Sequence, residues 1–326
     1  PMPELRRDPL SGRWVSYAPE RAKRPAPLRG ESAVVDDPER CPFCPGKEHM
    51  TTPAVLAVLR EGSRLVLRRE SGEERIKGWL VRIFSNLYPA FSVEDSIRIG
   101  DEATPTRGHH EVLVETPQHD GDLWKLDVEQ VYAALFAARE RLRELESEEE
   151  VKVVAFTKNH GPFSGGSLRH PHMHLIALPI TPQLLQAEAS ALKKLNCALC
   201  AEIEEDSRTV LDSDSFRVSC AWAGKEPYEL RVIPKKHEEN FTGIDDKELR
   251  ELAHVFSKTF KALHIVLGEF SFNIALHTKP KNVEDFHWHV EIIPRLLIPT
   301  SIDVGMEVYV STLLPEEAAE KLKKAL

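Results

Sequence analysis

Residues 170–178 read His-Pro-His-Met-His-Leu-Ile-Ala-Leu, with an imidazole at every second position over the first five residues. Because side chains alternate between the two faces of a strand, an extended backbone puts His170, His172 and His174 on one face, roughly 6–7 Å apart. A small-residue turn, Gly165-Gly166-Ser167, precedes them and can bring backbone N–H groups close to whatever they face. Neutral imidazole serves as a nucleophile, a proton donor or a metal ligand near pH 7. The stretch therefore predicts a strand that acts on an anionic group, phosphate above all.

The chain carries the same order of signals twice. Each half has a Cys-x-x-Cys pair, a strand with a loop ending in His, a helix-like stretch, a further strand and a strand with His-x-His. These stretches are 41–44, 111–119, 128–146, 153–156 and 170–174 in the first half and 197–200, 229–237, 246–263, 272–275 and 287–294 in the second. The spacing from His119 to His170 is 51 residues, and that from His237 to His287 is 50 residues. We predict an α+β fold of two tandem domains, 1–185 and 186–326, each an antiparallel sheet with packed helices.

Length and composition narrow the class of protein. The 326 residues are enough for two domains, and the net charge of −9 argues against nonspecific binding to nucleic acid. No apolar run reaches the roughly 18 residues of a membrane span, so we expect a cytoplasmic protein with no membrane partner. Asn and Gln are scarce while Glu, Lys and Arg are plentiful, which is typical of proteins from thermophiles.

Two sets of residues have the composition of a closed structural zinc site, which takes four thiolate or imidazole ligands. In a reducing compartment a Cys-x-x-Cys pair indicates metal before disulfide. The first set is Cys41, Cys44, His119 and His170, and the second is Cys197, Cys200, His237 and His287. With His170 on the metal, His172 remains free for chemistry. The alternative is that one of the two sites has lost its metal and its residues only pack against each other.

Several further motifs accompany these patterns. They are the opening segment 6–25, Phe84-Ser85-Asn86, Cys-Pro-Phe-Cys-Pro-Gly at 41–46, Asn159-His160-Gly161, and the ending Leu314-Pro315-Glu316-Glu317-Ala318-Ala319. With the Gly-Gly-Ser turn before His-Pro-His, they closely resemble the galactose-1-phosphate uridylyltransferase family, the transferase branch of the histidine triad superfamily. The resemblance covers nearly the whole chain. It implies two histidine-triad-like domains, of which the N-terminal one is catalytic, and a homodimer.

The resemblance implies a ping-pong reaction at His172. This imidazole would attack the α-phosphate of UDP-glucose, release glucose 1-phosphate and form a covalent uridylyl-histidine, which galactose 1-phosphate then accepts. The other candidates hold or neutralise phosphate and sugar. They are His174 and Ser167 as catalytic residues and Arg21, Arg24, Asn86, Asn159, Gly166 and Glu307 as substrate-binding residues. The alternatives are a solvated basic loop for the two arginines and turn capping for the two asparagines.

The chain departs from the family pattern in two places. His174 stands where the uridylyltransferases carry Gln as a phosphate donor, and histidine triad hydrolases carry His there. Residues 299–307 keep Gly305 and Glu307 of the hexose-recognition segment but lack its Lys and Tyr. Two alternatives therefore stay open: an ADP-glucose phosphorylase or dinucleoside-polyphosphate adenylyltransferase, and a nonenzymatic zinc-stabilised nucleotide-binding protein.

The second metal site also differs within the family. Some members use a Glu and three later histidines, which would correspond to Glu188, His277, His287 and His289. Others, including members similar to ADP-glucose phosphorylase, use the second Cys-x-x-Cys. Because that pair is intact here, we favour the cysteine version and interpret Glu188 and His277 as ordinary surface or loop residues.

Overall fold

The computed structural model describes residues 4–19, 36–92 and 107–326. The strands in these ranges are β1 (Glu4–Arg7), β2 (Trp14–Tyr17), β3 (Ala54–Glu61), β4 (Arg64–Arg68), β5 (Val81–Ser85), β6 (His109–Val114), β7 (Val153–His160), β8 (His172–Leu178), β9 (Thr209–Asp212), β10 (Phe216–Cys220), β11 (Leu230–Pro234), β12 (Phe272–His277), β13 (His289–Pro294) and β14 (Val308–Ser311). The α-helices are α1 (Val128–Glu146), α2 (Gln183–Ala191), α3 (Ala198–Ile203), α4 (Asp246–Leu267), α5 (Ser301–Met306) and α6 (Pro315–Lys323). One-turn 3₁₀ helices lie at Glu48–Met50, Pro162–Ser164, Lys194–Asn196 and Phe241–Gly243.

Eleven strands form one continuous antiparallel sheet in the order β4-β3-β5-β6-β8-β7-β12-β13-β11-β10-β9. The order β5-β6-β8-β7 of the first repeat is mirrored by β10-β11-β13-β12 of the second. The two repeats meet where β7 pairs with β12, with Asn159 opposite Asn273. This confirms the predicted α+β fold with antiparallel strands and packed helices in each repeat, and it adds that the two half-sheets are joined edge to edge.

A second, three-stranded sheet links the two ends of the chain. In it β2 pairs antiparallel with β1 and parallel with β14. Deeper in the protein, Arg231 on β11 bonds to Asp8, which follows β1, with an Nη2 to Oδ1 distance of 2.8 Å. The boundary predicted at residue 185 falls inside α2 and stays a prediction.

The two long helices pack on one face of the large sheet because each has an apolar side and a defined start. Helix α1 begins after Asp127, whose carboxylate accepts from the backbone N–H of Gln130, and α4 begins with a capping box between Asp245 and Glu248. Their buried residues form the main core together with Leu113, Leu175 and Phe156 from the sheet. The prediction of a helix over 128–146 is confirmed, and the second helix extends to Leu267.

The histidines of β8 lie on the face of the sheet opposite these helices. His174 is paired across the strands with Val112 and Thr157, and His172 with Val114, so their side chains alternate with the core residues Met173 and Leu175. The strand alternation expected from the sequence is therefore present, although regular pairing begins at His172 and not at His170.

In the described ranges, no helix combines the length and apolar character needed to cross a membrane.

Candidate functional site

His172 is held as a neutral imidazole with one nitrogen unprotonated. Its Nδ1–H donates to the backbone carbonyl of His170 at 2.8 Å, which leaves the lone pair on Nε2. Burial, aided by the neighbouring His174, lowers the pKa of His172 to about 3, so the ring is neutral at pH 7. The ring of Phe43, from the first Cys-x-x-Cys turn, meets that of His172 edge-on at a centroid distance of 5.2 Å. The chain thus presents an oriented, neutral imidazole of the kind that nucleophilic catalysis requires.

His174 lies beside His172, and its ring is in contact with a histidine that sequence reasoning missed. The ring centroids of His172 and His174 are 5.3 Å apart, and His174 Nδ1 lies 3.0 Å from His110 Nε2. Burial and then His110 lower the pKa of His174 to about 4, so it too is neutral. His110 could have been found from the pairing of β6 with β8, which places it on the same face as His174.

The glycine turn before β8 requires glycine because backbone crowds it. A Cβ at Gly166 would lie 2.9 Å from the Gly161 carbonyl oxygen and 3.1 Å from that of Asn159. Gly161 has a φ of 81°, and a Cβ there would lie 2.4 Å from the Ser271 hydroxyl oxygen. The N–H of Gly166 donates to the Gly161 carbonyl at 3.2 Å, so it is already used within the turn. The Gly166 N–H is therefore not free for a phosphate, and the expectation that the turn brings other backbone N–H groups close to one stays a prediction.

The two candidate asparagines have different surroundings. Asn159 lies on β7, and its Oδ1 accepts a hydrogen bond from Asn273 Nδ2 at 2.7 Å, so it is a strand residue and does not cap a turn. Asn86 follows β5, and its Oδ1 accepts from the backbone N–H of Tyr88 at 2.9 Å, as in a turn cap. Its Nδ2 lies 3.3 Å from His110 Nε2. Asn86 therefore reaches the histidine strand through His110, whereas the side chain of Asn159 bonds to the second repeat.

The other predicted site residues have no described contact with the sheet face that carries His172 and His174. Ser167 is exposed in the loop before β8. Glu307 is exposed at the end of α5, with a φ of 54°, and the strand that follows it belongs to the small sheet. Arg21 and Arg24 lie outside the described residues.

The first predicted metal set is brought together. Its four ligand atoms lie within 4.8 Å of one another, with Cys44 Sγ 3.3 Å from His119 Nδ1 and 3.5 Å from His170 Nδ1. His170 Nε2–H donates to the Thr116 carbonyl at 2.8 Å, and His119 Nε2 lies 3.1 Å from the carboxylate of Asp36. Both imidazoles therefore turn Nδ1 toward the thiols. The oxygen atoms beside their Nε2 atoms fix the ring orientation, as is usual for metal-binding histidines.

The second set repeats this arrangement. Cys197 Sγ lies 3.3 Å from His287 Nδ1, and Cys200 Sγ lies 3.5 Å from His237 Nδ1. His287 Nε2–H donates to the Pro234 carbonyl at 2.8 Å, and His237 Nε2 lies 3.0 Å from Asp285 Oδ1. Each of the two clusters could hold a metal ion.

Burial keeps the thiols of both clusters protonated when no cation is bound. Burial and the neighbouring thiol raise the pKa of Cys44 to about 11, and the same causes raise that of Cys197 to about 12. Thiolates at these positions would therefore need a metal to stabilise them, since metal binding displaces the proton.

A third cluster, Glu188, His277, His289 and Glu291, is buried on the second repeat. His277 Nδ1 lies 2.9 Å from Glu188 Oε2, and although burial alone would lower the pKa of His277, the carboxylate of Glu188 raises it. The interpretation of Glu188 and His277 as surface or loop residues is wrong: they form a buried pair between α2 and β12. The resemblance grouped Glu188, His277 and His289 as the alternative metal set, and the structure brings these three together with Glu291 while His287 lies with the cysteines.

A buried ion pair lies under the start of β8, on the helix side of the sheet. Lys158 on β7 bonds to Glu115, which follows β6, and its ammonium also donates to the carbonyl of His172 at 3.3 Å. Both side chains are at most 2% exposed. Burial raises the pKa of Glu115 even though Lys158 opposes the shift. The pair anchors the backbone from which His172 projects.

Replacing Lys158 with Met should lower the free energy of unfolding by about 3–5 kcal/mol, because it leaves Glu115 as a buried carboxylate without its cation. Urea unfolding followed by circular dichroism measures this. The double variant Lys158→Met with Glu115→Gln should recover most of the loss, and Lys152→Met on the exposed end of the same segment should change stability by less than about 0.5 kcal/mol. A loss below about 1 kcal/mol for Lys158→Met would contradict the anchoring role.

Known proteins resemble this chain over its full length. A family profile described as the N-terminal domain of a domain of unknown function, DUF4931, matches residues 103–180. The chain is 28% identical to the ADP-glucose phosphorylase of Arabidopsis thaliana, over 99% of its own length and 93% of the relative's. It is 26% identical to the galactose-1-phosphate uridylyltransferase of Thermotoga maritima, over 99% and 98% of the two chains.

The fold is also found among solved structures. The crystal structure of an Arabidopsis thaliana ADP-glucose phosphorylase with bound ADP-glucose superposes with a TM-score of 0.83, at 24% identity and over 100% of both chains. The likeness therefore extends over both repeats.

Proposed function

Because the chain belongs to the galactose-1-phosphate uridylyltransferase family of the histidine triad superfamily, we propose that it transfers a nucleotidyl group through a covalent bond to His172. That it is a nucleotidyltransferase follows from its full-length relatives. The observation that carries the covalent step is the hydrogen bond from His172 Nδ1–H to the His170 carbonyl, which leaves Nε2 as the only free lone pair of the ring.

The proposed chemistry has two half-reactions. His172 Nε2 attacks the α-phosphorus of a nucleoside diphosphate sugar, the N–P bond forms, and the P–O bond to the sugar 1-phosphate breaks with its electron pair on that leaving group. An oxygen of the second substrate then attacks the same phosphorus and releases neutral His172. The bond from Nδ1–H to the His170 carbonyl stabilises the positive charge that the ring carries while it bears the nucleotidyl group.

We assign zinc to both Cys₂His₂ clusters, because thiolate and imidazole ligands in a closed set of four are what structural zinc prefers. The ion would support the fold without an open position for substrate. At the first cluster it would fix the Cys-x-x-Cys turn that carries Phe43, and with it the ring of His172.

Two pairs of substrates are candidates. The first is UDP-glucose with galactose 1-phosphate, the reaction that gives the family its name. The second is ADP-glucose with inorganic phosphate, and it is favoured by the 28% identity to ADP-glucose phosphorylase. In both cases the partners are nucleotide sugars and phosphates; a homodimer, a cytoplasmic location and the thermophilic character remain part of the proposal.

One experiment tests both the covalent step and the substrates. The protein is incubated without acceptor with UDP-glucose or ADP-glucose labelled in the α-phosphate, and the labelled residue is identified by mass spectrometry. We expect label on His172 and one equivalent of glucose 1-phosphate released. Galactose 1-phosphate or inorganic phosphate is then added to the labelled protein, and the acceptor that discharges it identifies the second substrate.

Two outcomes would overturn the proposal. Absence of an adduct and of turnover with both donors, in protein that still binds nucleotide, would indicate a nonenzymatic binding protein. Label on a residue other than His172 would reject that nucleophile.

A further inference from the structure

The two neighbouring imidazoles on β8 differ in the partner of Nδ1, which is a carbonyl oxygen for His172 and an imidazole nitrogen for His174. His172 uses Nδ1 as a donor to a carbonyl oxygen, so its Nε2 is bare. His174 uses Nδ1 toward another imidazole nitrogen, His110 Nε2, at 3.0 Å. One of these two nitrogens must carry the proton and the other must accept it. The protonation of His174 therefore depends on the protonation of His110.

The proton on His110 is assigned by the backbone around it. The N–H of Ala90 donates to His110 Nδ1 at 3.0 Å, so Nδ1 is an acceptor and the neutral ring carries its proton on Nε2. Asn86 Nδ2 lies 3.3 Å from the same Nε2, but an amide nitrogen only donates, so it cannot accept the Nε2 proton and this contact is not a hydrogen bond in the assigned tautomer. His174 Nδ1 is thus the acceptor for His110 Nε2–H.

We propose that His110 is a positioning residue that fixes His174 with its proton on Nε2, so that His174 donates a hydrogen bond to an oxygen of the transferred phosphoryl group. The inference rests on the proposed function and assigns a role to the histidine that stands where the family carries Gln. A Gln side chain always has an N–H to donate, whereas a neutral imidazole has one N–H on either of two nitrogens. A histidine at this position therefore needs a hydrogen-bond partner that determines which of its two ring nitrogens carries the proton.

The surroundings keep this chain of hydrogen bonds neutral. Burial lowers the pKa of both His110 and His174 below the ordinary value, so both rings hold a single proton at pH 7. The Nε2 atoms of the two neighbouring imidazoles then have opposite roles. Nε2 of His172 has a lone pair that can attack phosphorus, and Nε2–H of His174 can donate a hydrogen bond to a phosphoryl oxygen. A fixed donor at a phosphoryl oxygen contributes to catalysis because it needs no reorganisation during the reaction.

The test compares His110→Phe in two backgrounds, the natural chain and the His174→Gln variant. Phe keeps the ring volume but cannot donate. We expect His110→Phe to slow formation of the nucleotidyl-His172 adduct in single turnover by about tenfold or more in the natural chain. The rate of the His174→Gln variant, whatever its value, is the reference for the second background, and adding His110→Phe to that variant should change this rate by less than about twofold. The control is His109→Phe, the adjacent residue of β6, which bonds to Glu148 and not to His174.

A second readout does not depend on turnover. In the full chain labelled with ¹⁵N-histidine, the nitrogen shifts of His174 should show a neutral ring protonated on Nε2, and His110→Phe should shift them toward a mixture of the two forms. A His174 protonated on Nδ1, or an equal fall in rate in both backgrounds, would overturn the inference while leaving the adduct at His172 intact. Absence of the adduct in the natural chain would instead overturn the proposed function and the donor role with it.

Discussion

Replacing His172 with Ala should abolish adduct formation and lower turnover on the order of 10⁴-fold or more, because the change removes the oriented lone pair of Nε2 that forms the bond to phosphorus. The pairing of β8 with β6 is made by the backbone and not by the imidazole, so the strand should survive the change. Single-turnover labelling with the donor identified above measures the loss. The melting midpoint and the metal content measured in parallel establish that the variant is folded.

Two controls sharpen this result. His254→Ala, an exposed histidine on α4, should leave labelling unchanged. His174→Gln should still be labelled at His172, because it keeps the nucleophile and supplies an amide donor. Retention of more than about a hundredth of the natural rate in folded His172→Ala would reject the covalent mechanism.

Removing one thiolate from a metal cluster should have the largest effect on stability. Structural zinc contributes about 10–16 kcal/mol to the folded state of zinc-finger peptides, so Cys44→Ser or Cys200→Ser should lower the free energy of unfolding by several kcal/mol. Each variant should also lose about one equivalent of zinc from a natural content near two. Elemental analysis and thermal unfolding with and without a chelator measure both effects.

The two variants should differ in activity. Cys44 belongs to the turn whose Phe43 ring touches His172, so Cys44→Ser should slow labelling in the protein that remains folded. Cys200 lies in the second repeat, so its loss should reduce stability and leave the labelling rate of the folded fraction near the natural value. Cys220→Ala, which removes a buried thiol outside both clusters, is the control for metal content. Less than half an equivalent of zinc in the natural protein would contradict the assignment.

The parts of the fold that sequence predicted are those with a local signal. The helix over 128–146 follows from apolar periodicity, and its start is reinforced by the cap at Asp127. The second helix continues past 263 because nothing breaks it before Gly268. Both Cys₂His₂ sets could be predicted because the repeat places two thiols and two imidazoles at matching spacings.

The features that sequence missed depend on pairing between distant segments. The bond from His110 to His174 is set by the register of β6 against β8, and the burial of Glu188 and His277 by how α2 packs on β12. The use of the Gly166 N–H within its own turn depends on a backbone path that composition does not specify. None of these contacts has a signature in the residues immediately around it.

Because β7 pairs with β12, neither repeat can be separated from the other without exposing a strand edge. Separating the two halves would leave β7 paired only with β8 and β12 paired only with β13, so each half would expose one open strand edge. Such open edges recruit other strands and promote aggregation. The loss would also release Asn159 from Asn273, close to the turn that leads to the histidine strand. Each repeat therefore covers a strand edge of the other, and we expect either one to aggregate when it is produced alone.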